Sequence, residues 1–406
     1  MNKFIYILVS LIFAVNFWNL SAIVNSLSPD IILVLSWGWI LSGIYYFNET
    51  KRRKALNNYR YNKTAVHILA GVFISMVSAY FFGHQSFMTT FVAQRTIYGF
   101  MLLPAILFVQ PTEKDIVKAL KWISIGTMVV WGLVHINPHL VQLDKESMEK
   151  FEMGKQDLSA KLEFYVNGIH LVVLYLYFKI TEYIETFSWK VFLEAGFIVL
   201  FVILYQNRSL ILGVAPVFIY SIIRFKSKYK SSIIIALSVI LVGIIILTSD
   251  VWLSMFTSTQ NNLGESDYNR WKSLYYYFFE YSPNWFCYIF GNGFPSGGNS
   301  SLGVLMWKNF ERGIFASDLG MIGMWVDYGI IPLIAIYAVL INVLRRKYMP
   351  LAMKFISLHI ILVPTIFHFW TNPGIALFVL IIYLNAHYTE KYKKLLKDAS
   401  DNISQL

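Results

Sequence analysis

Three charged side chains in this sequence are candidates for anion binding or proton transfer. Arg208 separates two apolar runs in YQNRSLILG, Arg270 begins the stretch RWKSLYYYFF, and Asp318 precedes a long apolar run. Arginine forms forked hydrogen bonds with phosphate oxygens. A carboxylate can accept the proton of an attacking hydroxyl group. These residues can cooperate only if the fold brings them to one place.

Arg208 is close to the hydrocarbon of a membrane. The apolar segment 209–223 ends at Arg224, and as a helix it would be about 22 Å long. The hydrocarbon core is roughly 30 Å thick. In the first turn of its helix, Arg208 would also lie beside free backbone N–H groups, which favour an anion. A lipid phosphate is the natural anion at that depth, and simple snorkelling to ordinary phospholipid is an equal alternative.

The composition excludes a soluble domain. Hydrophobic residues make up 57% of the 406 residues and charged residues only 14%, and the mean hydropathy is +0.54. Such a chain belongs in a bilayer. Segment 231–248 is continuously apolar, whereas a membrane β-barrel would show alternating segments of roughly ten residues. We therefore expect an all-α, polytopic integral membrane protein that forms a single domain over 1–406.

The hydropathy pattern predicts about twelve transmembrane helices. They are expected at 4–20, 31–47, 64–83, 96–110, 119–136, 164–180, 191–206, 209–223, 231–248, 319–343, 350–370 and 373–388. Most lysines and arginines fall on one side of these spans, which places both termini in the cytoplasm. The net charge of +11 is then explained by basic residues on the cytoplasmic side of the membrane, and it does not indicate nucleic-acid binding. The charged tail 389–406 is expected to be a short solvated helix.

Two long loops are expected outside, at 137–163 and 249–318. The larger contains an aromatic stretch that predicts an amphipathic helix ending before Pro283, with Trp271 and Tyr275 on its apolar face. Such a helix lies in the headgroup plane more often than it forms a sugar platform. The following glycines, Gly291 and Gly293, indicate an irregular turn and not a phosphate-binding motif. The single cysteine, Cys287, is expected to be a small buried residue.

These motifs, in this order, resemble the O-antigen polymerase and O-antigen ligase superfamily. The similarity covers roughly the second half of the chain. It is carried by Asn167 in YVNGIH, Asn207-Arg208-Ser209, Arg270-Trp271, Gly291-x-Gly293, and SDLGMIGMWVDYG at 317–329.

The resemblance implies a GT-C-like glycosyltransferase that uses glycans on undecaprenyl diphosphate at the outer face of the cytoplasmic membrane. Ligases of the family have histidine followed by asparagine eleven residues before the glycine of the closing segment. This chain has Asp318 and Leu319 there, which favours a polymerase of O-antigen or capsule repeat units. Membrane lipids, a chain-length regulator and a flippase are the partners that the resemblance implies. No cofactor, metal or nucleic acid is expected.

Roles for individual residues follow from the charge that builds on the leaving diphosphate. Arg208 and Arg270 would stabilise that charge. Asp318 would accept the hydroxyl proton, or it would only be the N-cap of the tenth span, which is the more common role.

Further residues are expected to bind substrate or to line the headgroup zone. Arg95 and Arg312 would hold the second lipid diphosphate or merely contact headgroups. The remaining members of this set are Asn167, Trp271 and Lys272. Metal dependence is not expected, because the close pair His135 and His139 is interrupted by Pro138.

Two acids lie within the expected spans, and one of them is consistent with a different class of protein, a secondary transporter. Asp327 would lie inside the tenth span, where an acid is a functional-site hypothesis by default, and it would suit proton coupling in a flippase or other secondary transporter. Glu194 is expected to pair with Lys190 on its own helix. The long loop 249–318 argues against a transporter, and a non-catalytic export scaffold is a third reading.

Overall fold

The computed structural model describes residues 2–24, 26, 29–46, 59–141, 166–186, 188–205, 210–211, 213–214, 216–217, 269–297, 300–364 and 371–403. This part of the chain is helical, and its only β-pairing is an isolated bridge between Leu20 and Val141. The predicted all-α class is therefore confirmed for these residues.

The labelled α-helices follow the chain order. They are α1 (Lys3–Ala14), α2 (Ser21–Val24), α3 (Pro29–Tyr46), α4 (Tyr59–Phe81), α5 (Phe87–Ala93), α6 (Leu102–Val109), α7 (Glu113–Ile136), α8 (Ile169–Thr186), α9 (Trp189–Leu204), α10 (Asn269–Phe279), α11 (Trp285–Phe290), α12 (Ser301–Glu311), α13 (Met321–Tyr328), α14 (Ile330–Arg345), α15 (Leu351–Leu362) and α16 (Asn372–Ile403). Short 3₁₀ helices span Asn16–Asn19, Arg95–Met101, Pro138–Leu140 and Ala316–Leu319.

Two helices form the centre of the bundle. Helix α8 is buried on all sides from residue 171 to 178, and α16 is buried from 375 to 386. A helix that is apolar all round is one that neighbours must cover. Helix α8 packs against α7, α9, α15 and α16, and α14 packs against α4 and α15. Beyond Thr389, α16 becomes charged, and its side chains are exposed through Asp401.

The number of membrane-crossing helices differs from the prediction. In the described part of the chain, only Lys63–Phe81 and Glu113–Ile136 are long and apolar enough to cross a membrane. A third candidate arises if Phe87–Ala93 and Arg95–Val109, bent by 67°, count as one broken span. Shorter apolar helices include Lys3–Ala14 and Asp30–Tyr45. The expectation of about twelve spans is therefore wrong for the described residues.

Backbone breaks explain much of this difference. The expected span 4–20 ends early, because residues 16–19 have positive φ angles. The expected span 319–343 is divided at Gly329 into α13 and α14. Within the expected span 350–370, α15 ends at Leu362, and residues 365–370 lie outside the described part of the chain. Segment 231–248 lies outside the described residues, as does most of 209–223.

A polar cluster joins three helices near their expected cytoplasmic ends. Glu194 on α9 pairs with Lys121 on α7 at 3.0 Å and with Lys179 on α8 at 3.2 Å. It also accepts a hydrogen bond of 2.6 Å from the Tyr175 hydroxyl. Glu194 thus has partners on other helices, and the expected pairing with Lys190 is replaced by contacts that fix the packing of α7, α8 and α9.

Candidate functional site

The aromatic helix of the large loop is α10, and it is amphipathic as predicted. Trp271, Tyr275 and Phe279 recur every four residues and are 57%, 60% and 74% exposed. On the opposite face, Ser273 and Tyr277 are buried. The helix ends before Pro283, as expected. The exposed aromatic stripe suits a helix that lies at a membrane surface.

The beginning and the end of this loop meet. The Ser273 hydroxyl accepts a hydrogen bond of 3.0 Å from the backbone N–H of Phe315, and α10 packs against the 3₁₀ helix Ala316–Leu319. Arg270 is one turn before Ser273, and Asp318 is three residues after Phe315. The structure therefore brings the backbones around Arg270 and Asp318 together, whereas the side chains of both lie outside the described part.

The Gly291–Gly293 turn is joined to the segment that closes the loop. Asn292 N–H donates to the Val326 carbonyl at 2.9 Å, and Gly293 N–H donates to the Asp327 carbonyl at 2.9 Å. The Asn292 side-chain amide also donates to the Val326 carbonyl, at 3.1 Å. Since these two N–H groups are already used within the protein, the turn does not cradle a phosphate through them. Its role is to hold α13 in place.

Two glycines make this contact possible. Gly291 has φ 85° and ψ 162°, and Gly329 has φ 83° and ψ −178°. This region of backbone conformation is essentially restricted to glycine. A Cβ on Gly291 would lie 2.5 Å from the Gly329 nitrogen, and one on Gly329 would run into the Phe290 backbone. Each glycine thus permits both a sharp change of direction and the close approach of the other segment.

The Gly291–Gly293 turn packs against small residues on α4. A Cβ on Gly293 would lie 2.5 Å from the Ala79 side chain and 3.0 Å from the Ser75 carbonyl. One turn before Ser75 on α4, Gly71 is in similarly close contact with Pro332 of α14. The spacing Gly71, Ser75, Ala79 places three small residues on one helix face. The loop backbone therefore lies directly on α4.

Gln85 fixes the chain that follows the turn. Its Nε2 donates to the Phe294 carbonyl at 2.8 Å and to the Thr90 hydroxyl at 2.9 Å. Its Oε1 accepts from the Ser296 N–H at 2.8 Å and from the Ser300 hydroxyl at 2.9 Å. Gln85 is 1% exposed, and its amide thus binds three points of the large loop.

A buried acid lies at the break between α13 and α14. Asp327 is 5% exposed, and none of the ion pairs between described side chains includes it. Burial raises the pKa of the Tyr281 phenol well above its usual value, and the nearby Asp327 raises it further. The pKa of Tyr277 is raised by the same two causes in the same order. Asp327 is therefore a buried acid whose charge acts on the Tyr277 and Tyr281 phenols of the large loop.

The structure decides one of the alternatives for Asp318. Helix α13 begins at Met321, and its N-cap residue is Gly320, with φ 54° and no side-chain cap. Asp318 belongs instead to the preceding 3₁₀ helix Ala316–Leu319. The expected N-cap role for Asp318 is wrong, because positive φ at Gly320 separates the two helices.

The other predicted residues are distributed over several places. Arg208 lies outside the described residues. Arg95 forms an ion pair of 3.0 Å with Asp30 at the start of α3. Arg312 is exposed at the C-cap of α12. Asn167 precedes Gly168, which lies close to Thr127 of α7.

Lys272 and Trp271 lie in the first part of α10, next to Arg270. Residues that the sequence interpretation missed are Gln85, Asn292 and Asp30. The sequence around Gln85 does not predict its anchoring role, because its partners in the large loop are more than two hundred residues away in the chain. Asn292 stands between two glycines, a context that could have identified it as a fixed turn residue.

Comparison with known proteins adds no family assignment. No family model, no curated protein and no solved structure matches this chain. Within the described residues, no three histidine, cysteine, aspartate or glutamate side chains form a group that could hold a metal ion. Cys287 is free and 1% exposed, which confirms the prediction of a buried residue.

Proposed function

We propose that this protein is a GT-C-like glycosyltransferase that polymerises oligosaccharide repeat units carried on undecaprenyl diphosphate. The product is a surface polysaccharide, O-antigen or capsule. The reaction takes place at the outer face of the cytoplasmic membrane, with both termini of the chain in the cytoplasm. The proposal rests on the order of the sequence motifs and on how the described motif segments contact one another.

One observation carries most of the argument. Motif segments far apart in the sequence are joined by backbone hydrogen bonds: Asn292 with Val326 and Gly293 with Asp327, each at 2.9 Å. The Arg270 helix packs against Ala316–Leu319 at the start of the same closing segment, and Ser273 accepts a hydrogen bond from the Phe315 N–H just before it. Convergence of short motifs is what a catalytic site requires.

The proposed reaction exchanges one bond at an anomeric carbon. A hydroxyl oxygen of the acceptor glycan forms the new C–O bond, and the C–O bond to the donor's diphosphate breaks. The electron pair of that bond goes to the diphosphate, where Arg208 and Arg270 stabilise it. The hydroxyl proton goes to Asp318. The acceptor keeps its own lipid diphosphate, so one free lipid diphosphate is released in each cycle.

The decisive test is chain extension by the purified protein in liposomes that contain lipid-linked repeat units. Lysine keeps the charge of arginine but loses its forked geometry. We therefore expect Arg208→Lys and Arg270→Lys to lower the rate at least about tenfold. Arg345→Lys, at the exposed end of α14, is the matched control and should extend at the wild-type rate. Equal rates for all four proteins would contradict the proposed roles.

The same liposomes separate the enzyme from a transporter. The observation that favours a transporter is Asp327, a buried acid at a broken helix, since broken helices and intramembrane acids mark ion pathways. A transporter would move lipid-linked units between leaflets without forming bonds. Longer glycans without added energy support the polymerase, whereas translocation alone supports the transporter. A non-catalytic export scaffold would show neither glycan extension nor translocation.

The proposed topology has its own test. Cys287 is buried, so the wild-type protein should react slowly with a membrane-impermeant maleimide. Glu311 on α12 and Lys394 on α16 are both exposed. In intact cells, Glu311→Cys should be labelled and Lys394→Cys should be labelled only after lysis. The opposite pattern would invert the topology and remove the active site from the outer face.

A further inference from the structure

Tyr205, which follows the last residue of α9, is hydrogen-bonded to the turn that contains Asn167. Its hydroxyl accepts a hydrogen bond of 3.1 Å from the Val166 N–H and donates one of 3.2 Å to the Val166 carbonyl. Tyr205 and Val166 are both buried. One buried hydroxyl therefore satisfies both backbone groups of the residue directly before Asn167.

This contact joins the immediate neighbours of two residues that have proposed roles. Val166 precedes Asn167, and Tyr205 is three residues before Arg208. Helices α8 and α9 pack against each other, with only residues 187 and 188 between them. A connection this short makes two helices antiparallel, so the start of α8 lies beside the end of α9. The hydroxyl of Tyr205 bridges these two ends.

The turn is also held from its other side, by α7. Gly168 has φ 113°, a backbone conformation that other residues rarely adopt, and a Cβ there would lie 2.6 Å from Oγ1 of Thr127. The Thr127 hydroxyl accepts a hydrogen bond of 2.9 Å from the Trp18 indole N–H. The backbone at Asn167 is therefore held between α7 and Tyr205.

The ring of Tyr205 is positioned independently of its hydroxyl. Its centroid is 5.8 Å from that of Phe201, one turn earlier on α9. The Phe201 ring in turn makes an edge contact with Trp131 of α7, with centroids 5.3 Å apart. A phenylalanine at 205 would keep these ring contacts, so Tyr205→Phe removes the two hydrogen bonds to Val166 and little else.

The chain is fixed after Arg208 as well. The described residues on its buried face are Leu210, Val214 and Val217. A Cβ on Gly213 would overlap the imidazole of His359 on α15, and Nδ1 of that imidazole is hydrogen-bonded to the Tyr177 hydroxyl of α8 at 2.5 Å. The segments before and after Arg208 are thus both attached to α8, through Tyr205 and through this packing.

We propose that Tyr205 is a positioning residue for glycan transfer, and that its hydroxyl sets the distance between Asn167 and Arg208 at the outer ends of α8 and α9. This role rests on the proposed function. Tyr205 is buried, and its hydroxyl is used by Val166, so it acts through these two residues and not on the substrate. Its loss should lower kcat more than it raises KM, because a misplacement of about 1 Å can cost roughly a hundredfold in rate.

The test compares two tyrosines whose buried hydroxyls both donate to a backbone carbonyl. The control is Tyr383 on α16, which donates to the Pro111 carbonyl at 2.6 Å, at the expected cytoplasmic end of the bundle. Tyr205→Phe and Tyr383→Phe should each lower Tm by about 1–2 °C in detergent. In liposomes with lipid-linked repeat units, Tyr205→Phe should lower kcat about tenfold and change KM less than about twofold. Tyr383→Phe should extend at the wild-type rate, and equal kcat values for the two variants would overturn the proposal.

A double variant tests whether Tyr205 acts through Arg208. In the Arg208→Lys background, Tyr205→Phe should lower the remaining rate less than about twofold, because the group that it positions is already changed. Losses that multiply would contradict the positioning role. Amide exchange at 166–168 should rise in Tyr205→Phe and not in Tyr383→Phe, and unchanged exchange there would also count against it. A wild-type protein that does not extend glycans would overturn the polymerase together with this role, whereas wild-type extension that Tyr205→Phe leaves intact would overturn only the role of Tyr205.

Discussion

Replacing Gly329 by alanine should separate the two segments that the structure joins. Gly329 has φ 83° and ψ −178°, and a side chain in this region costs about 1–3 kcal/mol. The added Cβ would also meet the Phe290 backbone, which must move away. We expect Gly329→Ala to destabilise the protein by about 2–4 kcal/mol in total.

The assay is thermal unfolding in detergent at a fixed scan rate, followed by tryptophan fluorescence. With an unfolding entropy of about 2.1 cal/mol/K per residue, a loss of about 2–4 kcal/mol corresponds to roughly 2–5 °C in Tm for this chain of 406 residues. The matched control is Gly132→Ala. Gly132 lies within α7, and a Cβ there meets nothing within 4 Å. Alanine favours the helix there by about 0.5–1 kcal/mol, so the control should keep or slightly raise Tm.

Gly291 provides a second test of the contact between its own segment and the segment at Gly329. Gly291→Ala should destabilise the protein by a similar amount, since its Cβ would lie 2.5 Å from the Asp327 carbonyl oxygen. Both changes break one contact, so the double variant should lose less than the sum of the single losses. Additive losses, or a Gly329→Ala protein that melts like the wild type, would refute the joined arrangement.

Two further predictions concern polar contacts between distant segments. Gln85→Ala should raise amide exchange at 294–297 and destabilise the protein by about 2–4 kcal/mol, because buried loop partners lose their hydrogen bonds; unchanged exchange at 294–297 would argue against the anchoring role. Lys179→Met should lower stability by about 1–3 kcal/mol, because it removes a largely buried partner of Glu194, whereas Lys190→Met should have little effect. Equal Tm losses for the two lysine variants would support a pairing within α9 instead.

The sequence predicts the kinds of elements well where the signal is local. Composition indicates a helical membrane chain, and the described residues are helical. The period of Trp271, Tyr275 and Phe279 predicts the amphipathic helix α10, and Pro283 indicates where it must have ended. These features depend on residues within a few turns of one another, and a sequence displays them directly.

Helix breaks are harder to predict. The apolar run 319–343 reads as one span, because Gly320 and Gly329 are compatible with a continuous helix. Their positive φ angles become favourable only because other segments occupy the space beside them. For Gly329 that neighbour is Phe290, and a hydropathy profile does not show a contact between residues so far apart in the chain. Similarly, the partners of Glu194 lie on two other helices, whereas local spacing shows only Lys190.

The contacts of the large loop bear on how it could act as a catalytic site. Loops between membrane helices are commonly more mobile than the helices they connect. This loop is instead attached to the bundle by backbone bonds at Asn292 and Gly293, by Gln85, and by a bond of 3.1 Å from Leu302 N–H to the Gly83 carbonyl. Charges stabilise a transition state effectively only when they are held in place beforehand. The anchoring of the segments around Arg270 and Asp318 to the bundle is therefore the property that would make these residues useful for transferring a glycan.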